Sequence, residues 1–276
     1  MFQIKTLSFV LEKEPKYNEE GTLLFLTKKF GLIRVTATGL YKANAKLASW
    51  TEPPSCVWAT LSVSGEQHNP HYRLITLSPK KFFSPLHQSY QSLSWYFFYV
   101  RLLKHFLPFN IQMPKIFSLW QEIISAEESW LEEKTQKINF IYFTVKFLKI
   151  EGLCPHWQNC TACGEKWPTD KTAFFWPNEP GLLCQKCSQS LAKNNFFVQN
   201  NPHSFQFFNI LSLEKPLVLP KNLVRVPSEI IKILKISEES TTLTQTLAEI
   251  FSRSKINDSD IIKTRNFLLI FLASSL

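Results

Sequence analysis

Four cysteines stand in two pairs, Cys160-Thr161-Ala162-Cys163 and Cys184-Gln185-Lys186-Cys187, with twenty residues between the pairs. A C-x2-C knuckle turns two sulfurs toward one point, and two knuckles complete a tetrahedral thiolate shell of the kind that holds zinc. Gly164 directly follows the first pair, where a tight turn calls for positive φ, and Gly181 shortly precedes the second. Four thiolates close the coordination sphere to water and substrate, so the spacing predicts one structural zinc rather than a catalytic one. Structural zinc contributes ~10–16 kcal/mol, more than a segment with so little regular structure gains alone, so the metal is expected to hold residues 154–190 folded. Cys154 and His156 are near enough to serve as substitute ligands, but a lone buried Cys and a surface His account for them more simply. Cys56, in a strand-like run, reads as a core residue.

No other constellation in the sequence suits catalysis. There is no P-loop and no G-x-S-x-G, and the 6 His are scattered without H-E-x-x-H spacing. Glu127-Glu128 and Glu132-Glu133 read as solvated helix faces, and Asp258 and Asp260 as helix-start residues favoured by the positive end of the dipole. The formal charge of +9, from 31 Lys and Arg against 22 Asp and Glu, favours polyanionic partners. Residues 1–80 carry 10 basic and 6 acidic side chains, whereas 151–200 carry 4 and 4, so the cysteine segment is the poorer candidate for DNA contact. The N-terminus has no basic, apolar and small-residue leader pattern, and the apolar clusters Ser94–Leu107 and Phe140–Ile150 are short or interrupted by Lys, Arg and His. Those features predict a soluble cytoplasmic protein with no membrane span and with reduced cysteines.

The elements that must position these residues follow from pattern. Ile4–Leu11 alternates, Thr22–Thr27 is a compact apolar run, Leu32–Ala37 puts Ile33, Val35 and Ala37 on one face, and Cys56–Val63 and Tyr72–Leu77 follow. Five short strands suit a small barrel of the oligonucleotide-binding type, with an SH3-like barrel or small sandwich fitting the pattern nearly as well. After Pro85 the texture turns helical: Leu86–Leu107, Lys115–Glu133 and Lys137–Glu151, the last ending at Gly152 as a C-terminal cap. Lys137–Glu151 is apolar on most faces, which predicts the buried helix of a bundle. Further helices are predicted at His203–Leu213, Pro227–Ile236, Thr241–Ser252 and Asp258–Ala273. The fold class is α+β: a five-stranded barrel over 1–80, a helical domain over 81–153 and 191–276, and a four-cysteine zinc module inserted at 154–190.

Several of these stretches resemble the RecO family. Phe147-Leu148-Lys149-Ile150-Glu151-Gly152-Leu153-Cys154-Pro155, then Cys160-Thr161-Ala162-Cys163-Gly164, is similar to that family's helix ending in Gly, its apolar-Pro link and its first CxxCG knuckle. Gly181-Leu182-Leu183-Cys184 continues the likeness. Asn18-Glu19-Glu20 and Phe25-Leu26-Thr27-Lys28-Lys29-Phe30-Gly31-Leu32 look like its second strand and the Thr-x-x-x-Gly turn into the third. The likeness runs from about residue 4 to 190 and implies an oligonucleotide-binding barrel, a helical domain and a zinc module. It also implies a protein without ATPase activity that binds single- and double-stranded DNA, anneals strands coated by single-strand-binding protein, and works with RecR to load the RecA recombinase.

On that resemblance the helices after Pro85 are expected to take the acidic, apolar C-terminal tail of single-strand-binding protein, and the RecA filament is reached indirectly, at the nucleoid. DNA is expected on the barrel, with Lys28, Lys29, Arg34, Lys42 and Lys46 on phosphates and Tyr41 as a stacking platform. After Ala37, where the family usually has a strongly basic loop, this chain keeps Lys42 and Lys46, and Tyr41 replaces a basic residue. The alternative is a protein-binding adaptor with a zinc module and little DNA affinity. A metal-dependent nuclease is disfavoured by the closed metal shell.

Overall fold

The computed structural model describes residues 2–16, 20–41, 48–66, 69–155, 157–166, 172–175, 181–193, 224–252 and 256–275. The chain divides into two compact units, Met1–Leu131 and Glu132–Leu276. The helix expected at 203–213 lies outside the described residues.

In the first unit, β1 (Phe2–Pro15), β2 (Gly21–Thr27), β3 (Gly31–Ala37), β4 (Ser55–Glu66) and β5 (Asn69–Phe82) close into a barrel of order β1-β2-β3-β5-β4. β1 is long enough to pair with β4 through Phe2–Val10 and with β2 through Ser8–Pro15, its register shifting between Val10 and Glu12. Alternation sends one set of apolar side chains inward, among them Val10, Leu23, Phe25, Ile33, Val35, Val57, Ala59, Leu61 and Val63. The barrel closes where β3 runs parallel to β5, through Val35 with Tyr72 and Thr36 with Arg73.

Helices follow: α1 (Ser84–His87), α2 (Tyr90–Phe106) and α3 (Pro114–Ser125). The helix expected from Leu86 is divided because extended Ser89 caps α2, accepting from the Ser92 N–H at 3.0 Å. The helix expected to reach Glu133 stops at Ser125. The chain folds back in a 3-10 turn at Glu127–Trp130, and the Trp130 indole N–H donates to the Ile123 carbonyl at 2.9 Å. The Tyr96 hydroxyl of α2 donates to the carbonyls of Val10 at 2.9 Å and Leu11 at 3.2 Å, at the β1 irregularity where the ladder to β2 skips Leu11. Lys104, also on α2, pairs with Glu12 at 2.7 Å.

The second unit is built on α4 (Glu133–Ile150), buried along nearly its whole length as its apolar faces require. It packs against α6 (Ser228–Glu239), α7 (Leu243–Ser252) and α8 (Asp258–Ser275). Gly152, at φ 74°, ends α4 while the Leu153 N–H returns to the Leu148 carbonyl at 2.8 Å. Lys146 donates to the Glu238 carbonyl at 2.8 Å, placing a cation at the negative end of α6. Asn257 and Asp260 cap α8 reciprocally, at 3.0 and 3.2 Å, so Asp260 does stand at a helix start. Between α4 and α6 lie α5 (Gln185–Lys193) and a small sheet of order β7-β6-β8, formed by β6 (Ala173–Phe175), β7 (Leu182–Leu183) and β8 (Val224–Val226). Pattern reading had no access to this sheet, whose strands are two or three residues long.

Candidate metal centre and nucleic-acid interface

The two knuckles are brought together by backbone pairing. The Cys160 N–H bonds the Glu165 carbonyl at 2.9 Å and the Gly164 N–H returns to the Cys160 carbonyl at 2.8 Å, closing the first turn. Gly164 takes φ 73°, the conformation expected of it. Thr161 then donates from both its amide, at 2.9 Å, and its hydroxyl, at 3.1 Å, to the Leu182 carbonyl of β7, fastening one knuckle to the other. A Cβ at Gly181 would lie 2.1 Å from the Thr161 Oγ1, so a larger residue there must displace that hydroxyl from the Leu182 carbonyl. Cys184 immediately precedes α5 and Cys187 sits in its first turn.

As a result the sulfurs of Cys160, Cys163, Cys184 and Cys187 all lie within 4.8 Å of one another. Around tetrahedral zinc with bonds of about 2.3 Å, sulfurs stand about 3.8 Å apart, and Cys163 and Cys184 are at 3.9 Å. The Cys184 N–H points at the Cys160 sulfur at 3.3 Å. Burial raises the Cys160 thiol, but backbone N–H groups of Cys184, Cys163 and Ala162 outweigh it and bring it down to about 7. Contact with the Cys184 thiol, followed by burial and the other two cysteines, pushes Cys187 up to about 12. Four thiols this close cannot all ionise alone, and a divalent cation among them removes the conflict. The group is able to hold a metal ion, and its donor set and spacing fit zinc.

The substitutes stand apart. Cys154 is outside the quartet, its thiol directed to the Pro155 carbonyl at 3.7 Å, and burial raises it to about 11. His156 lies outside the described residues. Cys56 is a buried strand residue, raised to about 11 by burial. The centre is also packed into its unit: Trp157 and Phe175, both fully buried, contact Phe267 and Phe271 of α8 with ring centroids 5.4–6.3 Å apart.

On the barrel, Lys28 and Lys29 occupy the exposed tip between β2 and β3. The Thr27 hydroxyl holds that tip, donating to the Gly31 carbonyl at 3.0 Å and accepting from the Phe30 N–H at 3.0 Å. Gly31, at φ 66°, approaches the chain at Ile111. Arg34 is exposed on β3, its guanidinium 4.8 Å from the centre of the Phe109 ring. Tyr41 is 43% exposed, with the Lys13 ammonium 4.9 Å from its ring centre and Lys13 paired to Glu52. Lys42 and Lys46 lie outside the described residues. Leu24, Leu26 and Leu32 point away from the barrel core yet are buried, so Arg34 has apolar neighbours on the outer surface of this hairpin.

Sequence reading missed Trp58, which is 40% exposed. The signal was present: in the alternating run Val57, Ala59, Leu61 and Val63, the residues between are Trp58, Thr60 and Ser62, and a Trp among hydroxyls on an outward face invites explanation. Among the described residues, no helix is long and apolar enough to cross a membrane.

Comparison with known proteins agrees with the motifs. The family model described as Recombination protein O C terminal matches residues 87–235. The DNA repair protein RecO of Alkaliphilus metalliredigens (strain QYMF) is 27% identical over 188 residues, 67% of this chain and 72% of that protein. The DNA repair protein RecO of Thermodesulfovibrio yellowstonii (strain ATCC 51303 / DSM 11347 / YP87) is 24% identical over 186 residues, 67% of this chain and 70% of that protein. With more than half of its length inside the family model, and the paired knuckles within that half, the chain belongs to the RecO family.

Proposed function

We propose that the protein is a nonenzymatic mediator of DNA repair and recombination that binds single- and double-stranded DNA, anneals complementary strands and helps load recombinase on protein-coated single strands. The observation that carries this reading is a closed barrel of order β1-β2-β3-β5-β4 in a member of the RecO family. That order supports an oligonucleotide-binding barrel, in which strands bind across the β2–β3 face and neighbouring loops. The names of the two relatives support the assignment to DNA repair. The metal is one structural zinc on Cys160, Cys163, Cys184 and Cys187. It supplies cross-linking of the two knuckles and no Lewis-acid chemistry, since the shell is complete.

In this reading Lys28, Lys29, Arg34, Lys42 and Lys46 neutralise phosphates and Tyr41 stacks on a base. Lys13 beneath the Tyr41 ring supports that role, because the cation, itself paired to Glu52, holds the ring in place. RecR, the C-terminal tail of single-strand-binding protein and, indirectly, the RecA filament are the protein partners, at the nucleoid in the cytoplasm. Exposed Tyr90 and part-exposed Phe97 on α2 support a tail-binding role for the helices after Pro85.

The test is a titration of fluorescent single-stranded DNA at two salt concentrations, with strand annealing on coated substrate as a second readout. Changing Lys28 and Lys29 together to Ala is expected to weaken binding and flatten the log-log salt slope by about 1.4. Tyr41→Ala should weaken binding with the slope intact. A parent protein with no affinity for DNA at low salt would replace this reading by the protein-binding adaptor.

A further inference from the structure

The barrel has a second outward face. Because the strands close in the order β1-β2-β3-β5-β4, β4 lies across the ring from the β2–β3 pair, with β1 and β5 as its neighbours. Val57, Ala59, Leu61 and Val63 join the core, so Trp58, Thr60, Ser62, Ser64 and Glu66 face outward. Register sets Leu7 and Ser78 on either side of Trp58, Lys5 and Thr76 beside Thr60, and Gln3 and Arg73 beside Ser62. Trp58 thus rises, 40% exposed, between buried Leu7 and exposed Ser78, and the Lys5 ammonium is 5.9 Å from its ring centre. Lys5, Arg73 and Lys80 are exposed there, against the carboxylate of Glu66.

The other side of the ring is treated differently. Phe9, Leu24, Leu26 and Leu32 also lie outside the barrel core, but they are buried. Phe9 meets Phe83 and Phe117, with centroids at 6.2 and 5.3 Å, and Leu32 is bridged to Phe109. The helical half of this unit covers that side, whereas Trp58, Ser64 and Glu66 of β4 remain exposed. An indole with small hydroxyl neighbours offers a base a flat apolar surface, while Ser, Thr, Lys and Arg around it suit phosphates. The same surface offers a protein only a small apolar area, since beside Trp58 stands Leu7, itself buried, and the next neighbours are Ser78, Thr60 and Thr76.

We propose that the outward β1–β4–β5 face is a second single-stranded nucleic-acid site, with Trp58 as the stacking platform and Lys5, Arg73 and Lys80 on phosphates. The proposal rests on the DNA-binding reading above and adds a second strand to it. A stacked base brings its phosphate within a few ångströms of the ring, where Lys5 holds its charge. Two strands on opposite sides of one barrel give annealing a physical basis: each is screened from the phosphates of the other by the barrel and its cations.

The test is a stoichiometric titration of the full chain with short oligothymidylate at low salt. The parent is expected to take two oligonucleotides per chain. Trp58→Ala should weaken one of the two sites about 5- to 150-fold, and Trp58→Phe should retain most of its affinity. Lys5→Ala with Arg73→Ala should weaken that same site, and Lys28→Ala with Lys29→Ala the other. Ultraviolet cross-linking of the unaltered protein to the oligonucleotide, which requires no variant to fold, should label the peptide containing Trp58. One oligonucleotide per chain, unaffected by Trp58→Ala and leaving that peptide unlabelled, overturns the proposal and leaves the first DNA site standing. A single oligonucleotide weakened by both sets of changes also overturns it, in favour of one strand wrapped around the barrel. A parent that binds no DNA overturns the first reading and this one together.

Discussion

Two glycines with nearly the same backbone conformation do different work. Gly31 has φ 66° and Gly152 φ 74°, but an added Cβ at Gly31 would lie 1.8 Å from the Ile111 carbonyl oxygen, whereas nothing stands within 4 Å of one at Gly152. Gly152→Ala is therefore expected to cost only the left-handed penalty, about 1–2 kcal/mol. Gly31→Ala must also displace a backbone segment and should cost roughly 3 kcal/mol or more. Urea unfolding of the two variants checks this, and equal midpoints would contradict the close approach at Ile111. The turn at Gly31 was legible in the sequence, since Thr27 and Gly31 bracket it, but its neighbour Ile111 was not, because nothing local links residues so far apart. The four cysteines were fully legible for the opposite reason: each knuckle is a local pattern, and only their mutual approach was left to the fold. Lys13 under Tyr41 and Phe109 under Arg34 were invisible, being contacts between elements.

At the scale of elements, the four-cysteine cluster is a joint as well as a site able to hold a metal. β6 and Trp157 reach α8 through Phe267 and Phe271, so loosening the knuckles frees buried aromatic surface on the helix bundle. Elemental analysis of reduced protein is expected to give one zinc per chain. Chelation, or Cys160→Ser with Cys184→Ser, should open residues 154–190 to protease and leave fragments of the barrel unchanged. Digestion that is the same with and without metal would argue against a structural role. A second joint ties α2 to β1. Burial first, then the Glu12 charge, holds the Tyr96 phenol well above its ordinary range, so it remains a donor to the two carbonyls it meets. Tyr96→Phe leaves both without that donor and should cost about 1–3 kcal/mol, read as a lower denaturant midpoint with unchanged slope. Element types were legible where periodicity was long, as in β1, α2 and α4. Boundaries failed where a side chain intervened, Ser89 dividing one helix and Trp130 turning back the end of another.

For the molecule as a whole, +9 net charge gives an attraction to any polyanion, so affinity alone says little about a specific surface. Salt dependence says more. Five phosphate contacts by Lys28, Lys29, Arg34, Lys42 and Lys46 release counterions to give a log-log slope of roughly −3.5 on single strands. A slope near zero would count against electrostatic binding, and a much steeper one would mean that more of the surface takes part than this hairpin and loop. The α+β class and the five strands were legible from alternation and breakers, and the expected barrel is present; pattern could not separate it from a small sandwich, because closure depends on the parallel pairing of β3 with β5.

The burial of α4 has a consequence for how the protein is made. Its apolar side chains, Phe140, Ile141, Phe143, Val145, Phe147 and Leu148 among them, are covered by α6, α7 and α8, the first of which starts at Ser228. Roughly eighty residues separate the end of α4 from that point, and at about 5–20 residues per second they take roughly 4–16 s to synthesise. Through that interval a greasy helix leaves the ribosome with its covering helices not yet translated. The nascent chain then exposes apolar surface that favours aggregation, and slower translation of that interval would lengthen the exposure.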